Sequence, residues 1–102
     1  MKHDYSKHMP AKLMGAGALF FNDRNELLIL KQSYNDPWSI PGGIVDDHES
    51  PLQAMLREIK EEIGLTVPEV DFLGVNYVGD TTDRQENVQF IFYGGILDAE
   101  QV

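Results

Sequence analysis

"PGGIVDDHESPLQAMLREIKEEIGL", Pro41 to Leu65, sets a glycine pair ahead of Glu49, Glu58, Glu61 and Glu62. Its second half reads as a helix. Ser50 is a good N-cap, Pro51 suits the first helical position, and Gln53 completes a Ser-x-x-Gln capping box. Leu52, Met55, Leu56, Ile59 and Ile63 recur at helical spacing and make one apolar stripe. Gly64 is a natural stop. A helix so patterned must bury its stripe, and what lies on either side of it decides what it buries against.

At 100° per residue, Glu58 and Glu62 stand one turn apart, with Glu61 near the same side. They flank the stripe, so they are expected at the edge of the core. Each like-charged i,i+4 pair costs about a few tenths of a kcal/mol, more when partly buried. Lys60 points elsewhere. Arg57 can pair with Glu49 or orient Glu58, but it cannot neutralise three carboxylates. Acidic runs on helices are usually solvated faces, and that account suffices for Arg57–Glu62 taken alone. The wider pattern suggests a cation instead. Carboxylate oxygens without sulfur or clustered nitrogen favour a hard ion, Mg²⁺ or Mn²⁺, which completes its shell with water and substrate phosphates. Gly42-Gly43 adds a tight turn whose bare backbone can approach a ligand, with a carbonyl as a further oxygen donor.

Outward from this segment the chain reads as strands. Lys12 to Phe21 is small and apolar, Asn22 to Asn25 is turn chemistry, and Leu27 to Leu30 reads as a buried strand, which together predict a hairpin. Ser33 to Pro37 is a polar loop and Trp38 to Ile40 a short extended piece. Beyond the helix, Thr66 to Val70 is a connection. Asp71 to Val78 and Asn87 to Leu97 read as strands separated by a polar loop. The order β-β-helix-β-β indicates a mixed α/β or α+β domain, a sheet covered by helix.

Composition bounds the rest. With 102 residues the chain is one domain, 1–102, of which 1–10 reads as a flexible lead-in. Such a length buries about two-thirds of its unfolded surface, enough for one core. A hydrophobic share of 42% suits a globular fold. The lack of cysteine excludes disulfides, thiolate zinc sites and thiol nucleophiles. No signal-like or membrane-spanning apolar run is present, so a soluble, cytoplasmic protein is expected. A net charge of −9 argues against a general nucleic-acid or anionic-membrane surface. It leaves room for a small phosphorylated ligand, because divalent cations reverse the local field.

Read from Gly43, the spacing is Gly-x5-Glu49-x7-Arg57-Glu58-Ile59-x-Glu61-Glu62-x-Gly64-Leu65. This resembles the Nudix box, the signature of the Nudix hydrolases, at every specified position, and "WSIPGG" looks like its usual lead-in. At roughly one in fifteen per fixed position, chance would produce such a match about once in 10⁸ windows, so the motif is specific. The resemblance implies a Nudix fold, a mixed sheet sandwiched by helices. It implies hydrolysis of a nucleoside diphosphate linked to another moiety with Mg²⁺ or Mn²⁺: a nucleoside triphosphate, ADP-ribose, a nucleotide sugar or a dinucleotide. Carried over by position, Glu58, Glu61 and Glu62 look like the metal carboxylates, with the Gly42 carbonyl as an extra ligand. Arg57 and Glu49 look like the pair that orients them. Glu61 is a ligand or a general base. The alternative is a non-catalytic Nudix-fold module that binds a nucleotide or a protein.

Outside the box, Trp38 and Tyr34 are candidates to stack on a base, against the plainer role of packing aromatics. Arg84 and Asp83 could contact phosphate or ribose, against the plainer reading of a solvated loop. Lys31 and Gln32 are weaker candidates for phosphate contact. Phe90, Phe92 and Tyr93 read as sheet packing. Asp46, Asp47 and His48 are expected to face solvent, and His3 and His8 sit in the terminal segment. Nudix domains usually continue past the last strand into a further helix and strand, so the C-terminal part looks cut short. A later loop often adds a glutamate, and only Asp98 and Glu100 stand in position for it. An uncovered sheet edge would invite a homodimer.

Overall fold

The computed structural model describes residues 9–82 and 84–98. His3, His8, Asp83 and Glu100 lie outside the described residues, as does most of 1–10. The elements are β1 (Leu13–Phe21), β2 (Gly42–Ile44), α1 (Pro51–Ile63), β3 (Asp71–Val78) and β4 (Asn87–Ile96). The strands form one mixed sheet in the order β2-β1-β4-β3. β1 runs parallel to β4 and antiparallel to β2, while β3 is antiparallel to β4.

The alternation along β1 sorts its residues between two faces. Ala16, Ala18 and Phe20 are buried on one face, joined by Phe92 of β4. Gly15 and Gly17 bare the other. α1 lies on the first face and sinks Ala54, Met55 and Ile59 there, each at 0% exposure. The small alanines of β1 leave space for the helix to come close. Truncating Met55 or Ile59 to alanine would cost about 2–5 kcal/mol.

The helix begins and ends where its cap residues dictate. The Ser50 side chain accepts from the Gln53 amide, and Gln53 accepts from the Ser50 amide, closing the capping box. Gly64 ends the helix in a left-handed conformation, its N–H donating to the Lys60 carbonyl at 3.0 Å.

Three expectations fail. Leu27 to Leu30 is not a buried strand. It makes only isolated bridges, Phe21 with Leu27 and Leu30 with Ser39, and Leu27 and Ile29 are 42% and 46% exposed. The cause is competition, because both edges of β1 are already taken, by β2 and β4. The second strand is instead Gly42–Ile44, so the glycine pair belongs to a strand and not to a tight turn. Leu52 is exposed and Ala54 buried, which rotates the packed stripe of α1 toward the side carrying Glu58 and Glu62.

β3 forms one sheet edge. Phe72 packs on Phe90 and Phe92, with centroids 6.3 and 5.6 Å apart. Phe72, Leu73, Val75 and Tyr77 nonetheless remain exposed, because α1 sits over β1 and β2 and does not reach them. Among the described residues no helix is long and apolar enough to cross a membrane.

Candidate functional site

β2 is wedged between β1 and α1, and two missing side chains make that fit. A Cβ on Gly42, whose φ is 154°, would sit 2.3 Å from the Ala16 carbonyl oxygen. A Cβ on Gly43 would sit 2.5 Å from the carboxyl carbon of Glu58. The first contact is with backbone and cannot relax. The second presses the Glu58 carboxyl against a bare Cα. The pair thus registers strand and helix against each other, and the carboxylates of α1 meet the strand at its edge.

Arg57 organises the loop before the helix. Its Nε donates to Glu49 Oε2 at 2.8 Å and its Nη2 to Glu49 Oε1 at 3.0 Å, a bidentate pair. Nη1 donates to Glu58 Oε1 at 2.7 Å, and Nη2 also reaches the Ile44 carbonyl at 3.1 Å. Asp46 Oδ2 lies 3.3 Å from Nη2 and Glu61 Oε2 lies 3.5 Å from Nη1. Glu49 in turn accepts the Asp46 amide at 3.0 Å. Hydrogen bonding to Arg57, and then to that amide, pulls the Glu49 carboxyl down to about 2. The same contacts hold the Arg57 guanidinium above its ordinary value. One planar cation therefore fixes the loop, the strand carbonyl and Glu58 together.

Glu62 is held from the other side. Its Oε1 accepts the Gly42 amide at 2.9 Å and its Oε2 the Gln32 carboxamide at 2.9 Å. Burial raises its proton affinity, the Gly42 and Gln32 bonds oppose the shift, and the neighbouring Glu58 carboxylate reinforces it. Glu58 and Glu62 are thus close enough to repel. Glu61 is more open, its side chain 58% exposed.

The donor set suits a hard divalent ion, since every side chain in it offers oxygen. Among the described residues, however, no three acidic or histidine side chains are assembled closely enough to hold one. Helical spacing alone does not bring the three carboxylates to one point. Glu58 leans on Arg57, Glu62 on the Gly42 amide, and Glu61 faces solvent. The Gly42 amide also joins the glycine strand to the cluster, through Glu62.

On the face opposite α1 the sheet floors a groove of about 720 Å³ that reaches Gly42, Gly43 and Gln32. Trp38 and Arg84 both line it, and Trp38 is 63% exposed. Tyr34 does not line it. Tyr34 is 90% exposed, with Lys31 Nζ 5.5 Å from its ring centroid. Phe92 is buried in the core and Phe90 packs beneath Phe72, as sheet aromatics should. Asp98 stands at the far end of the sheet, beside a separate groove lined by Phe20, Leu27 and Ile96.

Two residues take parts that the sequence did not assign to them. Asp46, exposed as expected, also joins the Arg57 fan, and Gln32, read as a phosphate contact, buttresses Glu62. The left-handed turn at His48, φ 63°, brings Glu49 round to face Asp46 and Arg57. An acidic residue three before Glu49 was the available signal for Asp46. For Gln32 there was none, since its contact spans thirty positions.

A family model described as the NUDIX domain matches residues 11–101. The chain is 35% identical over 83 residues to an 8-oxo-dGTP diphosphatase of Proteus vulgaris, covering 78% of this chain and 73% of that protein. It is 41% identical over 58 residues to an RNA pyrophosphohydrolase of Hydrogenovibrio crunogenus, covering 57% of this chain and only 35% of that one. Among solved structures it resembles a MutT protein from Methanosarcina mazei Go1, with a TM-score of 0.74 and 28% identity. That match covers 84% of this chain and 64% of the other.

Proposed function

The chain belongs to the NUDIX domain family, and from that premise we propose that it hydrolyses the pyrophosphate linkage of a nucleoside diphosphate joined to another moiety. Mg²⁺ or Mn²⁺ would be held by Glu58, Glu62 and the Gly42 carbonyl. The single observation that carries the reading is the Arg57 fan, which locks Glu49 and Glu58 around the wedged glycine strand. A protein using this helix only for packing would not need a guanidinium spent on so many oxygens beside two mutually repelling carboxylates.

A bound divalent ion supplies positive charge to the phosphoryl oxygens and acidifies the attacking water. The chain's own groups do the rest. Arg57 fixes the rotamer of Glu58, so that carboxylate meets its ligand without reorganising. The Gly42 amide and Gln32 do the same for Glu62. Glu61, exposed and loosely tied, is the carboxylate free to take the proton of the attacking water. The water oxygen bonds to phosphorus, the bridging P–O bond breaks, and the leaving phosphate keeps the electron pair. Trp38 and Arg84 bracket the groove where the rest of the substrate lies.

The relatives named above act on 8-oxo-dGTP and on RNA, so both join the substrates to be tried. The test is phosphate or pyrophosphate release with Mg²⁺ from nucleoside triphosphates, 8-oxo-dGTP, ADP-ribose, nucleotide sugars, dinucleotides and 5′-triphosphorylated RNA, by wild type and Glu58→Gln. Turnover of at least one substrate, lost in the variant, is expected. Nucleotide binding without turnover of any of them would overturn the hydrolase and favour a binding module.

A further inference from the structure

The floor of the groove is built in rows across three strands. Gly42, Gly17 and Ile91 align in one row, and Ile44, Gly15 and Gln89 in the next. The second row lies two residues further along β1, about 7 Å. That interval is the span of a ribose between phosphate and base, counted from the row whose Gly42 amide holds Glu62. At the centre of the second row Gly15 carries no side chain. A Cβ there would meet Gln89 Cγ at 3.8 Å, so the Gln89 stem lies along a flat, bare patch of backbone. Trp38 offers a ring at the rim.

The groove's electrostatics differ from those of the rest of the chain. In a protein of net charge −9 the only ionisable side chains lining it among the described residues are Asp36 and Arg84, of opposite sign. The other polar groups are largely carboxamides. Gln32 is committed to Glu62, and Asn87 Nδ2 donates to the Gln85 carbonyl at 3.0 Å. No hydrogen bond among the described residues engages the Gln89 carboxamide, although it lines the groove. A carboxamide sets one donor beside one acceptor, the pattern that pairs with the edge of a nucleobase. A slot whose two charges are of opposite sign, with an aromatic wall, suits the stacked base itself.

We infer that Gln89 is a specificity-determining residue, whose carboxamide reads the edge of a nucleobase lying over Gly15 against Trp38. The inference rests on the reading of the site as one for a nucleoside diphosphate, and it names the residue that would recognise the nucleoside.

Calorimetric titration with hydrolysis-resistant ligands tests it: the α,β-methylene analogues of ADP and GDP, and base-free methylene diphosphonate, each with Mg²⁺. Gln89→Leu is expected to weaken both nucleotide analogues roughly tenfold and to leave the diphosphonate unchanged. Gln89→Glu offers acceptors only. It should penalise the adenine analogue, whose ring nitrogens repel it, and spare the guanine analogue, whose N1–H and amino group donate. A merely structural role for Gln89 would not separate the two bases in that way. Unchanged nucleotide affinity in Gln89→Leu, an equal loss for the diphosphonate, or no nucleotide binding by the wild type would each overturn the inference. Gln89-dependent binding without hydrolysis of any substrate would sink the proposed reaction and leave this inference standing.

Discussion

The two sides of the glycine strand contrast in how they are built. On the helix side, Arg57, Glu49, Glu58 and Glu62 all have bonded partners, and the strand is pressed against them with no room for a methyl group. On the groove side, Trp38 is largely exposed and Gln89 is engaged by no described hydrogen bond. The first region is preorganised for charge and the second is left to be completed by a ligand. Chemistry that must repeat identically calls for fixed groups, whereas recognition can keep its polar atoms waiting. Changes on the helix side should therefore abolish turnover or folding, and changes on the groove side should alter what binds.

The largest effect is expected from Glu62→Gln. Losing the charge proposed to hold the ion, where several kcal/mol of transition-state stabilisation would arise, should lower kcat/KM about a thousandfold or more. The melting temperature should hardly fall, because burial already works against the charged form. A drop in activity that merely tracked a drop in stability would mean the helix side is only structural.

Gly42→Ala comes next. Its new methyl would meet β1 backbone at 2.3 Å, in a backbone conformation that side chains disfavour. Denaturant unfolding should show a loss of about 3 kcal/mol or more. An alanine variant as stable as wild type would show that β2 is not wedged as described.

On the groove side, Trp38→Ala should raise KM for nucleotide substrates about tenfold with kcat little changed and stability intact. A loss confined to kcat would place Trp38 with the fixed machinery and erase the contrast.

The smallest effect is one of pH. Glu49 is held at about 2 against an ordinary 4.5, so its folded pKa is depressed. Its contribution to stability is full above about 4.5 and is lost as pH falls toward 2. Wild type should lose stability through that window faster than Glu49→Gln. Parallel curves would show that Glu49 contributes no pH-dependent stability.

The sequence disclosed the helix side well and the groove side poorly, for a physical reason. Ser50, Pro51, Gln53 and Gly64 act within one turn of themselves, so the bounds of α1 were legible from neighbours alone. The box works the same way, since Arg57 reaches Glu49 and Glu58 through a single loop and helix. The extents of β3 and the start of β4 were legible from the polar loop that separates them. By contrast, β2 has three residues and exists only because β1 offers it an edge. Leu27 to Leu30 looked like a strand because an apolar run does not state whether an edge is free. The place of Gln89 beside Gly15 depends on a parallel register between strands over seventy positions apart. Gln32 meets Glu62 across thirty positions. No local pattern encodes such meetings.

The parallel pairing of β1 with β4 also fixes an order of events during synthesis. The first and last described strands are neighbours in the middle of the sheet, and β3 attaches only through β4. A nascent chain can therefore make α1 early, from local signals, yet it has no central ladder to dock it on until Asn87–Ile96 has left the ribosome. Closing so long a loop makes that step slow relative to helix formation. Until then β1 lacks its parallel neighbour, and Ala16, Ala18 and Phe20 lack the strand that brings Phe92 beside them.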